Sequence, residues 1–247
     1  MGQVPYGIVG DGRLARHLTH YFNLVGVPYQ QWSRSSSLRV NEPTAQAGTS
    51  AVQALSSCRT ILLAIQDSAI ESVAREFLAV DGTSTQQRLI HFSGALVTPL
   101  ATGMHPLMTF STGFYDLAEY QKMAFVCEEG DLKFQDVFPK LKNPHYTIRK
   151  DQKAFYHALC VMSGNFSVIL WQKLFEEFRT KLGIPAEAAF PYLERMTRNL
   201  QNDSRAALTG PLQRKDLQTI HKNLESLDGD SFRGIYQAFA SAMGVSS

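Results

Sequence analysis

Apolar positions follow two rhythms along this chain, changing near residue 150. In the first part, short apolar runs alternate with helically spaced ones. "YGIVG" (6–10) reads as a buried strand, and "RLARHLTHYFNLVG" (13–26) places Leu14, Leu18, Tyr21 and Phe22 at helical spacing before Gly26. "VPYQQW" (27–32) is a second strand, and "TILLAI" (60–65) has the unbroken aliphatic character of a strand inside a parallel sheet. "DSAIESVAREFLA" (67–79) predicts a helix with Asp67 or Ser68 as its N-cap. "RLIHFS" (88–93) and "MAFVC" (123–127) add two strands, and "HYTI" (145–148) a weaker one. Strands alternating with helices require crossover connections, hence a mainly parallel sheet.

Beyond residue 150 only the helical rhythm remains. Residues 151–183 form one pattern of about thirty residues, apolar on more than one side at its middle, and such a helix needs neighbours all round. Three shorter helices are expected over 185–201, 211–227 and 231–244. The expected fold is α/β: a Rossmann-like, mainly parallel sheet (1–150) followed by an all-helical domain (151–247) for substrate and dimerisation. A homodimer through the helical domain is the expected assembly.

Composition narrows the partners. The 247 residues carry 24 basic and 22 acidic side chains, net +2, so no global field favours nucleic acid or an anionic membrane. The longest unbroken apolar run is of the size of "ILLAI", far short of the roughly 20 residues of a membrane span. "MGQVPYGIVG" shows no basic region leading into an apolar core, and Tyr6 stands where a myristoylation motif wants Ser or Thr. Cys58, Cys127 and Cys160 lie too far apart for a CxxC metal site. The expectation is a cytoplasmic protein with reduced thiols, no metal, and neither nucleic acid nor membrane as partner.

The first candidate chemistry lies in "GIVGDGRLARHL" (7–18). Gly10, Gly12 and Ala15 form GxGxxA: a tight turn, an approach for pyrophosphate, and a small residue where helix meets strand. Arg13 and Leu14 open the helix whose free amides would face the anion. A structural turn needs glycine for the same steric reason, so position after the first strand carries the argument. After the second strand, "WSRSSS" offers Ser33, Arg34, Ser35 and Ser36, with no carboxylate before Glu42. Cations and hydroxyls suit the 2′-phosphate of NADP, whereas NAD asks for an acidic residue there.

Candidate chemistry on the substrate side should collect beyond the strand ends. Gln66, Asp67 and Ser68 follow the third strand. Ser93 and Gly94 follow the fourth and would suit the wall near a nicotinamide. His105, extended by Pro106, would bind a small substrate or supply a proton, or else tie its loop to backbone. His91 reads as a core residue, and His17 and His20 lack the partners of a metal site. Phe110 and Phe114 read as packing residues, with the floor of a flavin pocket as the other possibility. On the long helix His157, Val161 and Asn165 share a face at i, i+4 and i+8, the outer two about 12 Å apart along the axis. His157 and Asn165 are candidates facing the cleft, or a polar pair within the helices. In "TGPLQRKD" (209–216), Thr209 and Arg214 mark mainly a helix start.

With "GIVGDGRLARHL", "SGAL", "GMHPLMTF", "YHALCVMSGN" and "LTGPLQRKD" in order, the chain resembles the bacterial family that joins a Rossmann-like NADP-binding domain to an uncharacterised C-terminal helical domain. The resemblance covers nearly the whole chain. It implies an NADP-dependent oxidoreductase related to ketopantoate reductase, 3-hydroxyacid dehydrogenases, pyrroline-5-carboxylate reductase and deazaflavin-dependent NADP reductases. Hydroxyacid dehydrogenases of that group carry a catalytic lysine four residues before an asparagine, and here Val161 precedes Asn165. Proton handling therefore falls to His105 or His157, with Asn165 as a further candidate catalytic residue. The expected reaction is hydride transfer between nicotinamide and a small carbonyl or imine bearing a carboxylate. The alternative is a non-catalytic NADP-binding sensor or scaffold.

Overall fold

The structure, a computed structural model, describes residues 4–34, 49–79 and 87–245. By its contacts the chain divides into two compact units, Met1–Val168 and Ile169–Ser247. In the first unit β1 (Val4–Val9) leads into α1 (Arg13–Leu24), β2 (Tyr29–Trp32), α2 (Ala51–Ala54), β3 (Cys58–Leu63), α3 (Asp67–Leu78) and β4 (Arg88–His91). There follow β5 (Thr102–Leu107), α4 (Leu117–Lys122), β6 (Ala124–Glu128), α5 (Phe134–Val137), β7 (His145–Ile148) and α6 (Lys153–Cys160).

The seven strands lie in the order β2-β1-β3-β4-β5-β6-β7, parallel except where β6 runs against β5. Alternation along the strands divides the core. Tyr6, Ile8 and Leu62 pack on one face with Ala15, Leu18 and Phe22 of α1; Val9, Ile61 and Leu63 pack on the other with Ile70, Ala74 and Phe77 of α3. Because β2 and β3 flank β1, the connections diverge there, and the crevice beyond the carboxyl ends of β1 and β3 is the switch point where such sheets bind ligands.

Beta5 went unread in the sequence, since Gly103, His105 and Pro106 break every strand pattern. It pairs with β4 only at Thr102 and Gly103, then turns to antiparallel pairing with β6 from Met104. The N-cap of α3 is Gln66, not Asp67 or Ser68; Asp67 is the first helical residue, where its charge suits the helix dipole.

The long helix spans Lys150–Leu182: α6, a π-helical stretch at Val161–Phe166, α7 (Ser167–Glu177) and a second π stretch at Phe178–Leu182, closed by Gly183 at φ 64°. Among the described residues it is the one helix long and apolar enough to cross a membrane, by length and composition only, with a mean hydropathy of 1.3. The sequence expectation looked for an unbroken run; Ser163, Gly164, Asn165 and Ser167 interrupt the run without making the segment polar.

The second unit holds α8 (Phe190–Asn202), α9 (Pro211–Arg214), α10 (Leu217–Ser226) and α11 (Arg233–Ala242). The helix expected over 211–227 is split, because Lys215 adopts φ 54° and Asp216 starts afresh as the N-cap of α10. Lys173 of α7 binds Glu177 at 2.7 Å and Asp230, before α11, at 2.6 Å. Trp171 and Phe175 pack against Tyr192 and Phe190 of the α8 region.

Candidate active site

Gly10 has φ 121°, and a Cβ there would clash with the Ala64 carbonyl, so β1 and β3 meet through a position only glycine fills. Its amide donates to Trp32 O at 2.8 Å, and Gln31 Nε2 donates to Gly10 O at 2.7 Å, fixing the turn on β2. Gly12 differs in kind. It is the N-cap of α1 with φ −65°, no side chain caps the helix, and a Cβ would meet nothing within 4 Å. No steric demand of the protein keeps Gly12 a glycine, whereas a ligand resting on the helix terminus would. Ala15 is fully buried against the sheet. The cradle thus fits a pyrophosphate at Gly10, Gly12, Arg13 and Leu14, with Ala15 behind it.

At the end of β2, Ser33 is buried and Arg34 is exposed. Ser35 and Ser36 lie outside the described residues. Gln66 stands exposed at the start of α3.

Beyond β3, β4 and β5 the structure brings together Asp67, Ser93, Gly94, His105, Tyr156 and His157. The Ser93 hydroxyl donates to Asp67 Oδ2 at 2.5 Å and accepts from the amides of Ala95 and Leu96, at 3.3 and 2.9 Å. The hydroxyl expected to face a nicotinamide is therefore fully engaged, and shapes its own loop. Gly94 is open to the helix: a Cβ there would lie 2.9 Å from His157 Cγ and 3.0 Å from Nε2, with Cδ2 nearer still.

His105 Nδ1 lies 2.8 Å from Tyr156 Oη, and its ring meets that of His157 edge-on with centroids 5.7 Å apart. Burial holds its pKa down to about 4, helped by the charges of His157 and Lys153 and opposed by Asp67, so His105 is neutral near pH 7. A neutral imidazole can meet the Tyr156 hydroxyl at Nδ1 in either tautomer, as acceptor or as donor. Burial, with the Cys160 thiol beside it, pushes Tyr156 well above the ordinary phenol range, so it stays a donor.

Tyr156 was not among the expected site residues, and its adjacency to His157 was the signal available; Asp67 was expected at this strand edge, but without a role. Asn165 does not join them. It is exposed, within the π-helical stretch Val161–Phe166.

His17, His20 and His91 sit in packing contacts outside this cluster. His17 is buried, with Nε2 3.0 Å from Ser111 O and Nδ1 2.7 Å from Tyr120 Oη. Phe110 packs on His17 and Phe114 stacks on His20, contacts in keeping with a packing role for both rings. His91 is wholly buried as expected, 3.7 Å from Glu128 Oε1, with neither ring nitrogen hydrogen-bonded among the described residues. No cluster of His, Cys, Asp or Glu suited to a metal occurs among the described residues.

Residues 127–243 match the family described as Domain of unknown function (DUF2520). No curated protein matches the sequence. Among solved structures, BF3122 of Bacteroides fragilis, described as a candidate NADP oxidoreductase, superposes with a TM-score of 0.74 at 18% identity, covering 98% of each chain. An imine reductase of Streptomyces aurantiacus gives 0.63 at 14% identity, covering 97% of this chain and 93% of that one. Pyrroline carboxylate reductase of Plasmodium falciparum, with NADP bound, gives 0.59 at 14% identity, covering 98% and 96%. The chain thus shares its Rossmann-like fold with these solved structures.

Proposed function

We propose that the chain is an NADP-dependent oxidoreductase reducing a small imine, with a carbonyl as the less favoured substrate. One observation carries this: a glycine turn open to a ligand and a pair of imidazoles share the carboxyl edge of a single sheet. NADPH would supply the hydride when bound. Gly10, Gly12 and the first amides of α1 would hold its pyrophosphate, and Arg34 with Ser33 and Ser35 its 2′-phosphate. With Tyr156 donating to Nδ1, the Nε2–H of neutral His105 would polarise the substrate, and His157 would deliver the proton. Lys153 nearby is buried and paired with Glu128, so the fixed charge offered beside the imidazoles is that of exposed Asp67. A carboxylate favours a protonated imine over the carboxylate-bearing substrate expected from the sequence. The imine reductase that shares this fold supports the reading.

The subunit partner is proposed to be a second copy. Phe155, Leu159, Met162 and Phe166 form an exposed apolar row at spacings of four, three and four along the helix. Covered by its equivalent in a homodimer, the row needs neither membrane nor nucleic acid.

Calorimetry with NADPH and NADH, followed by NADPH oxidation against cyclic imines, 2-keto acids and 3-keto acids, tests the proposal. NADPH should bind at least tenfold more tightly than NADH, Arg34→Ala should abolish that preference, and imines should turn over fastest. Tight NADPH binding without turnover across the panel would favour the sensor reading instead. No preference for NADPH would end the cofactor assignment.

A further inference from the structure

One buried cation beside the site has no part in the proposed chemistry. Lys153 opens α6 and is 2% exposed, yet a lysine is among the residues least often found inside a protein. Its Nζ donates to the Glu128 carboxylate at the end of β6 and to Leu96 O at 2.5 Å. A Cβ at Gly103 of β5 would strike Nζ and lie 2.9 Å from Glu128 Cδ, so the sheet is cut back to admit the pair. Burying two charges is a poor route to stability, since an apolar pair of equal volume does as well or better. What an ion pair adds is direction: the ammonium must meet both oxygens or remain uncompensated.

The two oxygens belong to parts that define the site. Leu96 closes the loop in which Ser93 accepts the Ala95 and Leu96 amides and donates to Asp67, and that loop carries Gly94. His157 lies one helical turn beyond Lys153 on the same face, about 6 Å along the axis. The helix thus approaches the first unit's sheet at two successive turns, each over a glycine: Lys153 at Gly103 and His157 at Gly94.

We propose that Lys153 is a positioning residue, which by joining the first turn of α6 to the Gly94 loop and to β6 sets the imidazole of His157 over Gly94. It touches neither cofactor nor substrate. The inference deepens the proposed function, on which only its turnover measurement rests.

Lys153→Met alone would strand a buried carboxylate, so the deciding variant is Lys153→Met/Glu128→Leu in the full chain, which exchanges the ion pair for apolar volume. The His157 ring is followed by NMR with ring-labelled histidine, assigned through His157→Asn, alongside melting temperature, NADPH binding and imine turnover. The double variant should melt close to the wild type and bind NADPH within about twofold. Its His157 resonances should shift and titrate at a different pH, and kcat should fall about tenfold to a hundredfold with KM little changed, the scale expected when a reacting group is misplaced by an ångström. Unchanged His157 resonances and titration would overturn the proposal. If the double variant does not fold, Lys153→Arg, which keeps the charge but moves its donors, is judged by the same His157 criteria. Should the wild type fail to bind NADPH or reduce any imine, the functional reading falls while the resonances still decide the role of Lys153.

Discussion

The imidazole of His157 rests on the backbone of Gly94, in space that any side chain at position 94 would occupy. The obstructing atoms are those of a side chain with its own rotational freedom, not of backbone. Gly94→Ala should therefore fold, at a cost of about 1–3 kcal/mol for the added methyl, with the ring driven off its site. Imine turnover should drop at least tenfold while NADPH affinity changes by less than threefold. Steady-state kinetics with calorimetry checks this, and wild-type turnover in a folded Gly94→Ala protein would remove His157 from the proposed proton path.

Gly10 and Gly12 should respond in opposite ways although one motif contains both. Gly10→Ala forces a side chain onto φ 121° against the Ala64 carbonyl, so stability should fall by about 1–3 kcal/mol or more in urea denaturation. At Gly12 a Cβ meets nothing within 4 Å, so Gly12→Val should lower the urea midpoint much less than Gly10→Ala, with NADPH affinity down at least tenfold. Equal NADPH affinity in Gly12→Val and the wild type would mean that nothing rests on the α1 terminus.

The contrast between these glycines shows what the sequence makes legible. Regular spacing exposed β1, α1, β3 and α3, because a buried strand and an amphipathic helix each write a period into the chain. It could not separate Gly10 from Gly12, since the difference lies in what Ala64, 54 residues away, does to each. Beta5 was hidden because its pairing changes direction at Met104 and its residues obey no period. His105 and His157 were visible as chemistry-bearing residues, but their meeting depends on the helix docking over Gly94. Tyr156, Asp67 and the Lys153–Glu128 pair gain their meaning only from that contact. Helical spacing placed Asn165 with His157, but spacing alone could not say that its side chain would be exposed.

Acid should weaken the fold through His91 and His105. Burial lowers the pKa of His91 from 6.5 to about 3 and that of His105 to about 4. Above about pH 6.5 both rings are neutral in the folded and unfolded chains, and this source gives no pH dependence. Below it the unfolded chain takes up protons that the folded one refuses, so stability is lost as pH falls from about 6.5 towards 4. One such proton gives a slope of about 1.4 kcal/mol per pH unit. His91→Leu should flatten the slope between pH 6 and 4.5 by close to one proton, with little loss at pH 7 because the ring makes no hydrogen bond there. Urea unfolding at several pH values measures this, and an unaltered slope would show that His91 titrates normally in the folded protein.

Phe155 is 70% exposed at the head of the apolar row that continues through Leu159, Met162 and Phe166. If a second copy covers the row, sedimentation should give twice the 27.6 kDa of the chain, without detergent. In a twofold dimer each substitution acts twice. Full burial of a phenylalanine contributes about 1.5–3 kcal/mol, so Phe155→Ser should cost the dimer about 3 kcal/mol or more. At 1.4 kcal/mol per decade, that weakens association by about a hundredfold or more. The substituted side chain is on the surface of the monomer, so the monomer's own unfolding should change little. A dimer equally tight in the variant would place the interface elsewhere, and a wild-type chain that is monomeric at micromolar concentration but recovered with lipid vesicles would return the helix Lys150–Leu182 to consideration as a membrane-associated segment.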